Sequence, residues 1–210
     1  MSRDRLENLD SKRQQRLFDI AAEEFSAKGY DAASLNRIIS RSGMSKSSLY
    51  YYFDDKADLF TTLLERSIAF LFKEIGGLDP AKLTVETYWS EFEELYRRAV
   101  VLMNKNTWYV KLGRMFYRLR GEQHPATGRI FEASRRWVGV IIAKGQELGI
   151  VRTDLPPTLI IDCTMGLLES IDRWCVAHWD EFDDAQRLSM VTEHIGIFKA
   201  LLARESSQEK

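Results

Sequence analysis

The chain has 210 residues, 45% of them hydrophobic and 29% charged, with a formal net charge of −1. That composition belongs to a soluble globular protein long enough to bury a real core in one or two compact units. It carries no overall basic excess, so any DNA-binding surface must be a local patch balanced by acidic surface elsewhere. The longest apolar run falls far short of the ~20 residues that span a bilayer. Met1 to Gln15 is too polar for a secretion signal, so the expectation is a cytoplasmic protein with no membrane partner. Cys163 and Cys175 fall in one expected helix, about 18 Å apart at 1.5 Å per residue. A disulfide needs Cα atoms within about 7 Å, so both are expected to be reduced core thiols.

Proline and glycine punctuate long periodic segments, and no segment alternates with period two, which gives an all-α fold of about nine helices. The first helix runs from Ser11 to Lys28, with Leu17, Ile20, Ala21 and Phe25 on one face and Gly29 past its end. Ser34 caps a second, short helix ending at Ser42, and Gly43 breaks it. Ser45 caps a third, Lys46 to Tyr52. Asp54 or Asp55 caps a fourth, which continues to Ile75 before Gly76-Gly77 and Pro80. Five more follow, over Val85–Lys105, Trp108–Gly121, Ala126–Leu148, Leu159–His178 and Asp184–Ala203. The domains divide as 1–56 and 57–210.

The second and third helices are joined by Arg41-Ser42-Gly43-Met44, the short glycine-containing turn of a helix-turn-helix. The third helix is about 10 Å long and fits a major groove about 12 Å wide. Short hydroxyls allow close backbone approach, lysine suits phosphate, and tyrosine is a rigid side chain whose hydroxyl reaches phosphate or a base edge. The helix N-terminus also favours phosphate. The DNA-facing set is Ser34, Arg37, Ser45, Lys46, Ser47, Ser48, Tyr50, Tyr51, Tyr52 and Lys56. Lys12, Arg13, Arg16 and Arg41 add charge, and Arg3 and Arg5 make a short arm. Acidic Asp19, Glu23, Glu24 and Asp31 are free to face away from DNA.

Residues 17 to 64 resemble the N-terminal domain of the TetR family. The resemblance rests on Leu17…Ala21-Ala22…Phe25…Lys28-Gly29-Tyr30, on Ser34-Leu35…Ile38, on the run from Ser42 to Phe53, and on Lys56…Leu59…Leu63. It implies that Leu49, Tyr50 and Phe53 fix the recognition helix, that Tyr51 reads a base, and that Tyr52 and Lys56 contact phosphate. Tyr52 stands where many members carry histidine, and Asn36-Arg37 where an acidic residue is frequent. The architecture implied is three DNA-binding helices, a linking fourth, and a helical ligand-binding and dimerisation domain.

In that C-terminal domain, aromatic residues suggest an apolar cavity for a small hydrophobic or aromatic effector. The candidate lining is Tyr88, Trp89, Phe92, Tyr96, Trp108, Phe116, Phe131, Trp137 and Glu169, with Asp172, Arg114 and His124 as further polar groups. The last two long helices carry stripes that face either the protein's own core or a second copy, and pattern alone permits both. The resemblance selects the second: a homodimer through Leu167, Ile171, Trp174, Leu188, Val191, Ile195 and Phe198, with Gly166 and Ser170 allowing close approach. A two-fold dimer implies a palindromic operator.

No catalytic motif occurs, the histidines are scattered, and Asp172, Cys175 and His178 make only a thin metal set, so no enzyme, metal or cofactor is expected. The function expected is a DNA-binding transcriptional regulator, a repressor released from operator DNA by a small molecule. The alternative is a helical small-molecule or protein-interaction module without DNA function.

Overall fold

The computed structural model of the chain describes Leu6, residues 9–121 and residues 125–204. Arg3, Arg5 and His124 lie outside the described residues. Among those described there are nine α-helices, two 3-10 turns and no strand. The helices are α1 (Ser11–Ala32), α2 (Leu35–Ser42), α3 (Lys46–Tyr52), α4 (Lys56–Ile75), α5 (Tyr88–Lys105), α6 (Trp108–Gly121), α7 (Pro125–Glu147), α8 (Pro157–Ala177) and α9 (Asp184–Leu202).

Local chemistry explains where these bounds fall. α1 breaks at Gly29, whose backbone (φ 73°, ψ 173°) is open essentially to glycine alone, and one more helical turn follows to Ala32. α5 starts at Tyr88 rather than at Val85. Thr84 and Thr87 each accept the other's backbone N–H on a side-chain hydroxyl, at 3.1 and 3.3 Å, and so hold a turn that competes with helix. Pro157 opens α8, where its missing N–H is no loss. Asp183 and Gln186 form a reciprocal capping box at the start of α9.

The chain divides into two compact units. One comprises Met1–Phe70 with Lys111–Gly128, the other Leu71–Val110 with Arg129–Lys210. Residue 56, the boundary expected from sequence, falls inside the first unit. The reason is packing: Phe25 stacks on Tyr30 (6.1 Å) and meets Phe60 of α4 edge-on at 4.9 Å. Leu17, Ile38, Leu49, Leu59, Leu64 and Leu119 are fully buried in the same unit.

In the second unit, α9 packs against α5 and α8. Its core gathers Tyr88, Val138, Ile141, Ile142, Val151, Ile160 and Met165. The end of α9 is tied down by an antiparallel bridge, with Arg152 N–H donating to Leu202 O (2.8 Å) and Arg204 N–H to Ile150 O (3.0 Å). Gly145 of α7 is buried where a Cβ would lie 2.4 Å from Val151 Cγ2 and 2.6 Å from the Tyr88 hydroxyl. Neither partner has room to retreat, so Gly145→Ala is expected to destabilise by about 1–3 kcal/mol, read from thermal unfolding. Unchanged stability would mean that this joint repacks freely.

The cysteines depart from expectation. Both are free thiols, but Cys163 is exposed and only Cys175 is partly buried. Burial pushes the Cys175 thiol up to about 11 against a weak contact from Tyr96. Among the described residues, no helix is long and apolar enough to cross a membrane.

Candidate nucleic-acid interface

The first unit builds a bent helix pair from its caps inward. Ser34 Oγ accepts the N–H of Arg37 (3.4 Å) to start α2, and Gly43 ends it in the left-handed conformation (φ 75°). Ser45 Oγ accepts the N–H of Ser48 (3.0 Å) to start α3 and lies 3.0 Å from Ser47 Oγ. Leu49 is buried, and Phe53 just past α3 lies edge-on to Phe18 of α1 at 6.2 Å. These two apolar anchors fix one face of α3 and leave the other outside. That outer face carries Lys46, Ser47, Tyr50 and Tyr51, the tyrosines 45% and 54% exposed. Tyr52 is half-buried, its ring edge-on to Tyr51 at 5.1 Å. The result is a short helix with a cationic, hydroxyl-rich and aromatic surface, suited to phosphates and base edges together.

Two cations of the expected DNA-facing set have partners within the protein. The Arg37 guanidinium donates through Nε to Glu24 (2.9 Å) and through Nη2 to the Ala32 carbonyl (3.3 Å). Lys56 Nζ donates to the Asp31 carbonyl (3.0 Å) and lies 4.7 Å from the centre of the Tyr30 ring. These contacts tie Arg37 and Lys56 to the end of α1, so both hold the α1–α2 junction in place. Arg41 pairs with Glu23 at 2.5 Å. Glu24 therefore does not face solvent, as sequence allowed, but sits beneath Arg37.

Glu24 Oε1 also accepts the N–H of Ser34 at 3.0 Å. Burial raises its carboxyl, but the bonds from Ser34 and Arg37, with the charges of Arg37 and Lys28, outweigh burial and hold it below the ordinary value. A depressed folded-state value stabilises the fold above the unfolded carboxylate range, and that contribution is lost as pH falls through the folded value. Glu24→Gln is thus expected to cost about 1–2 kcal/mol near neutrality, discounted because Arg37 is half in water. The gap to the parent protein should close in acid. A gap independent of pH would assign the loss to shape rather than charge.

Sequence reasoning missed one contact of this unit. A Cβ on Gly29 would stand 2.9 Å from the guanidinium of Arg118 on α6, which pairs with Asp31 at 3.8 Å. The ion pair between Asp31 and Arg118 joins distant parts of the chain, and no local periodicity signals it.

The expected effector lining is only partly gathered. Trp89, Phe92, Phe131 and Trp137 pack, half-buried, on the core of the second unit, with Phe92 and Trp137 centred 6.4 Å apart. Tyr88 is itself core, its hydroxyl donating to Ile141 O at 3.2 Å, with burial pushing the phenol well up. Tyr96 sits apart with its hydroxyl 3.4 Å from Asp172 and its ring against His194. Glu169 is half-buried on α8, and Trp108 pairs edge-on with Tyr109 at 5.3 Å. Phe116 belongs to the first unit, against Tyr117. A cleft of about 500 Å³ does open in the second unit, but none of the nine expected residues borders it. It is bordered instead by the turn from Gly76 to Asp79, by Lys82 and Leu83, and by Glu91 and Arg98 of α5.

The expected dimer residues are likewise redistributed. Val191 and Ile195 are buried within the protomer, and Leu167, Ile171, Leu188 and Phe198 are half-buried. Only Trp174 is exposed, at 42%. The outer face of α8 is instead Leu159, Cys163, Gly166, Ser170 and Trp174, at helical three- and four-residue steps. On α9 it includes Ser189, Gly196, Ile197 and Ala200.

Residues 17–63 match the family described as bacterial regulatory proteins, tetR family. Over 53 residues the chain is 36% identical to the HTH-type transcriptional regulator AcrR of Shigella flexneri, covering 25% of each protein. The chain thus aligns with about a quarter of the length of the curated relatives it matches. The fold likeness extends much further. A TetR-family transcriptional regulator structure from Syntrophomonas wolfei superposes with a TM-score of 0.71 at 20% identity, covering 94% of this chain and 98% of that one. The regulator FadR of Bacillus subtilis, solved with stearoyl-CoA, gives 0.70 at 14% identity, covering 89% and 97%.

Proposed function

We propose that the chain, whose residues 17–63 match the tetR family of bacterial regulatory proteins, acts as a homodimeric repressor released from a palindromic operator by a small-molecule effector. The observation that carries the DNA-binding part is the outer face of α3: Lys46, Ser47, Tyr50 and Tyr51 stand clear of a helix pinned by Leu49 and Phe53. Lys46 meets phosphate, Tyr51 reads a base edge, and Ser45, Ser47 and Ser48 let the backbone approach. Ser34, Arg37 and Lys56 set the position of α2 and α3. Two protomers join through α8 and α9, which places two copies of α3 on successive major grooves.

The effector is a small hydrophobic or aromatic molecule taken up around Trp89, Phe92, Phe131 and Trp137. FadR of Bacillus subtilis, of the same fold, was solved with an acyl thioester of long apolar chain, which is in keeping with an apolar ligand. Release follows from differential affinity: the effector favours a protomer arrangement whose recognition helices no longer fit the operator spacing. α4 and α6, which run unbroken from one unit into the other, carry the change.

The test is binding of the purified protein to the DNA flanking its own coding sequence across a salt series. The expected result is tight binding to one palindromic site, with log affinity falling linearly in log salt. Weak binding blind to sequence would instead favour a helical interaction module without DNA function.

A further inference from the structure

We propose that the cleft at the double-glycine turn before α5 binds a small organic carboxylate, clamped by the guanidinium of Arg98. The site is distinct from the aromatic cluster and does not depend on the regulator reading.

Arg98 is the anchor. It borders the cleft, and its Nε is buried with no hydrogen-bond partner. The other cations nearby are matched: Arg97 pairs with Glu93 (3.2 Å) and Glu94 (3.9 Å), and Lys82 with Asp79 (3.7 Å). Among the described residues no carboxylate pairs with Arg98. A guanidinium stays charged at every working pH and always has donors to offer. With no carboxylate of the protein paired to it, the Arg98 guanidinium keeps its charge for an acceptor that a ligand brings to the cleft.

The surroundings choose the ligand class. The parallel N–H groups of a guanidinium match the two oxygens of a planar carboxylate. Asp79 and Glu91 also border the cleft and add negative charge, which a dianion such as phosphate tolerates less well than a monoanion. Leu78 and Leu83 supply an apolar wall for the body of the molecule. Gly76 and Gly77 bring no side chain, and a Cβ on either would meet nothing within 4 Å, so the mouth stays open. A volume of about 500 Å³ lies within the range that holds small organic ligands.

The experiment is titration calorimetry on the full chain without DNA, using benzoate, octanoate and inorganic phosphate as probes. At least one carboxylate is expected to bind saturably and phosphate not to bind. Arg98→Gln should weaken the carboxylate at least tenfold, with far-UV circular dichroism confirming the fold. Glu91→Gln, two helical turns away on α5, should tighten it about threefold by removing a like charge. Should Arg98→Gln fail to fold, the Glu91→Gln shift decides alone. Binding by neither carboxylate, equal binding by folded Arg98→Gln, or no change in Glu91→Gln would overturn the site. Phosphate binding that depends on Arg98 would overturn the carboxylate assignment.

Discussion

Gly166→Arg is expected to yield a folded protomer that sediments as a monomer and holds operator DNA roughly 10²–10⁴-fold more weakly than the parent protein. The protomer should survive because a side chain at Gly166 meets nothing within 4 Å and the position is exposed. Arginine is also a better helix former than glycine by about 1 kcal/mol, so α8 itself should gain. The pairing should not survive. Gly166 is the narrow point of the exposed stripe Leu159, Cys163, Gly166, Ser170, Trp174, and in the proposed dimer a long cation there would stand between the two backbones. Loss of affinity follows because each half-site would be held by one recognition helix without the second tethered to it. A variant that still sediments as a dimer would place the interface on another face.

Tyr51→Ala is expected to lower operator affinity by about 10–100-fold while changing affinity for random DNA far less. The side chain is 54% exposed, so truncation should cost little stability. It lies on the outer face of α3, whose other side is fixed by Leu49 and Phe53. Competition binding with operator and random duplexes at one salt concentration separates the outcomes. Equal losses on both would reduce Tyr51 to a phosphate contact.

The fold was legible in the sequence where punctuation was strong. α3 and α6 begin and end at the residues expected, because Ser45 and Asn106 supply turn chemistry and Gly43 and Gly121 sit at helix ends. The outer face of α3 was legible for the same reason: seven residues leave little freedom once Leu49 must be buried. Which face of α8 and α9 points outward was not legible. Both helices are apolar on more than one side, because α9 packs on α5 and α8 while small residues cover the remaining face. A search for large apolar side chains therefore found Val191 and Ile195, which are buried within the protomer. The charge balance of the helix-turn-helix was hidden too, because Glu24 and Arg37 lie 13 residues apart and meet only through tertiary packing.

That balance bears on how the protein finds its site in a genome. Arg37 and Arg41 are neutralised by Glu24 and Glu23, and the Lys56 ammonium is tied to the Asp31 carbonyl. Fewer positive charges are then available to hold arbitrary duplex, so residence on any random stretch should be brief. On the proposed reading, discrimination rests instead on Tyr50 and Tyr51, which gain only where the sequence fits. The protein should consequently be little diluted by the great excess of competing genomic sites, and a modest number of copies per cell should be enough to keep its own operator filled.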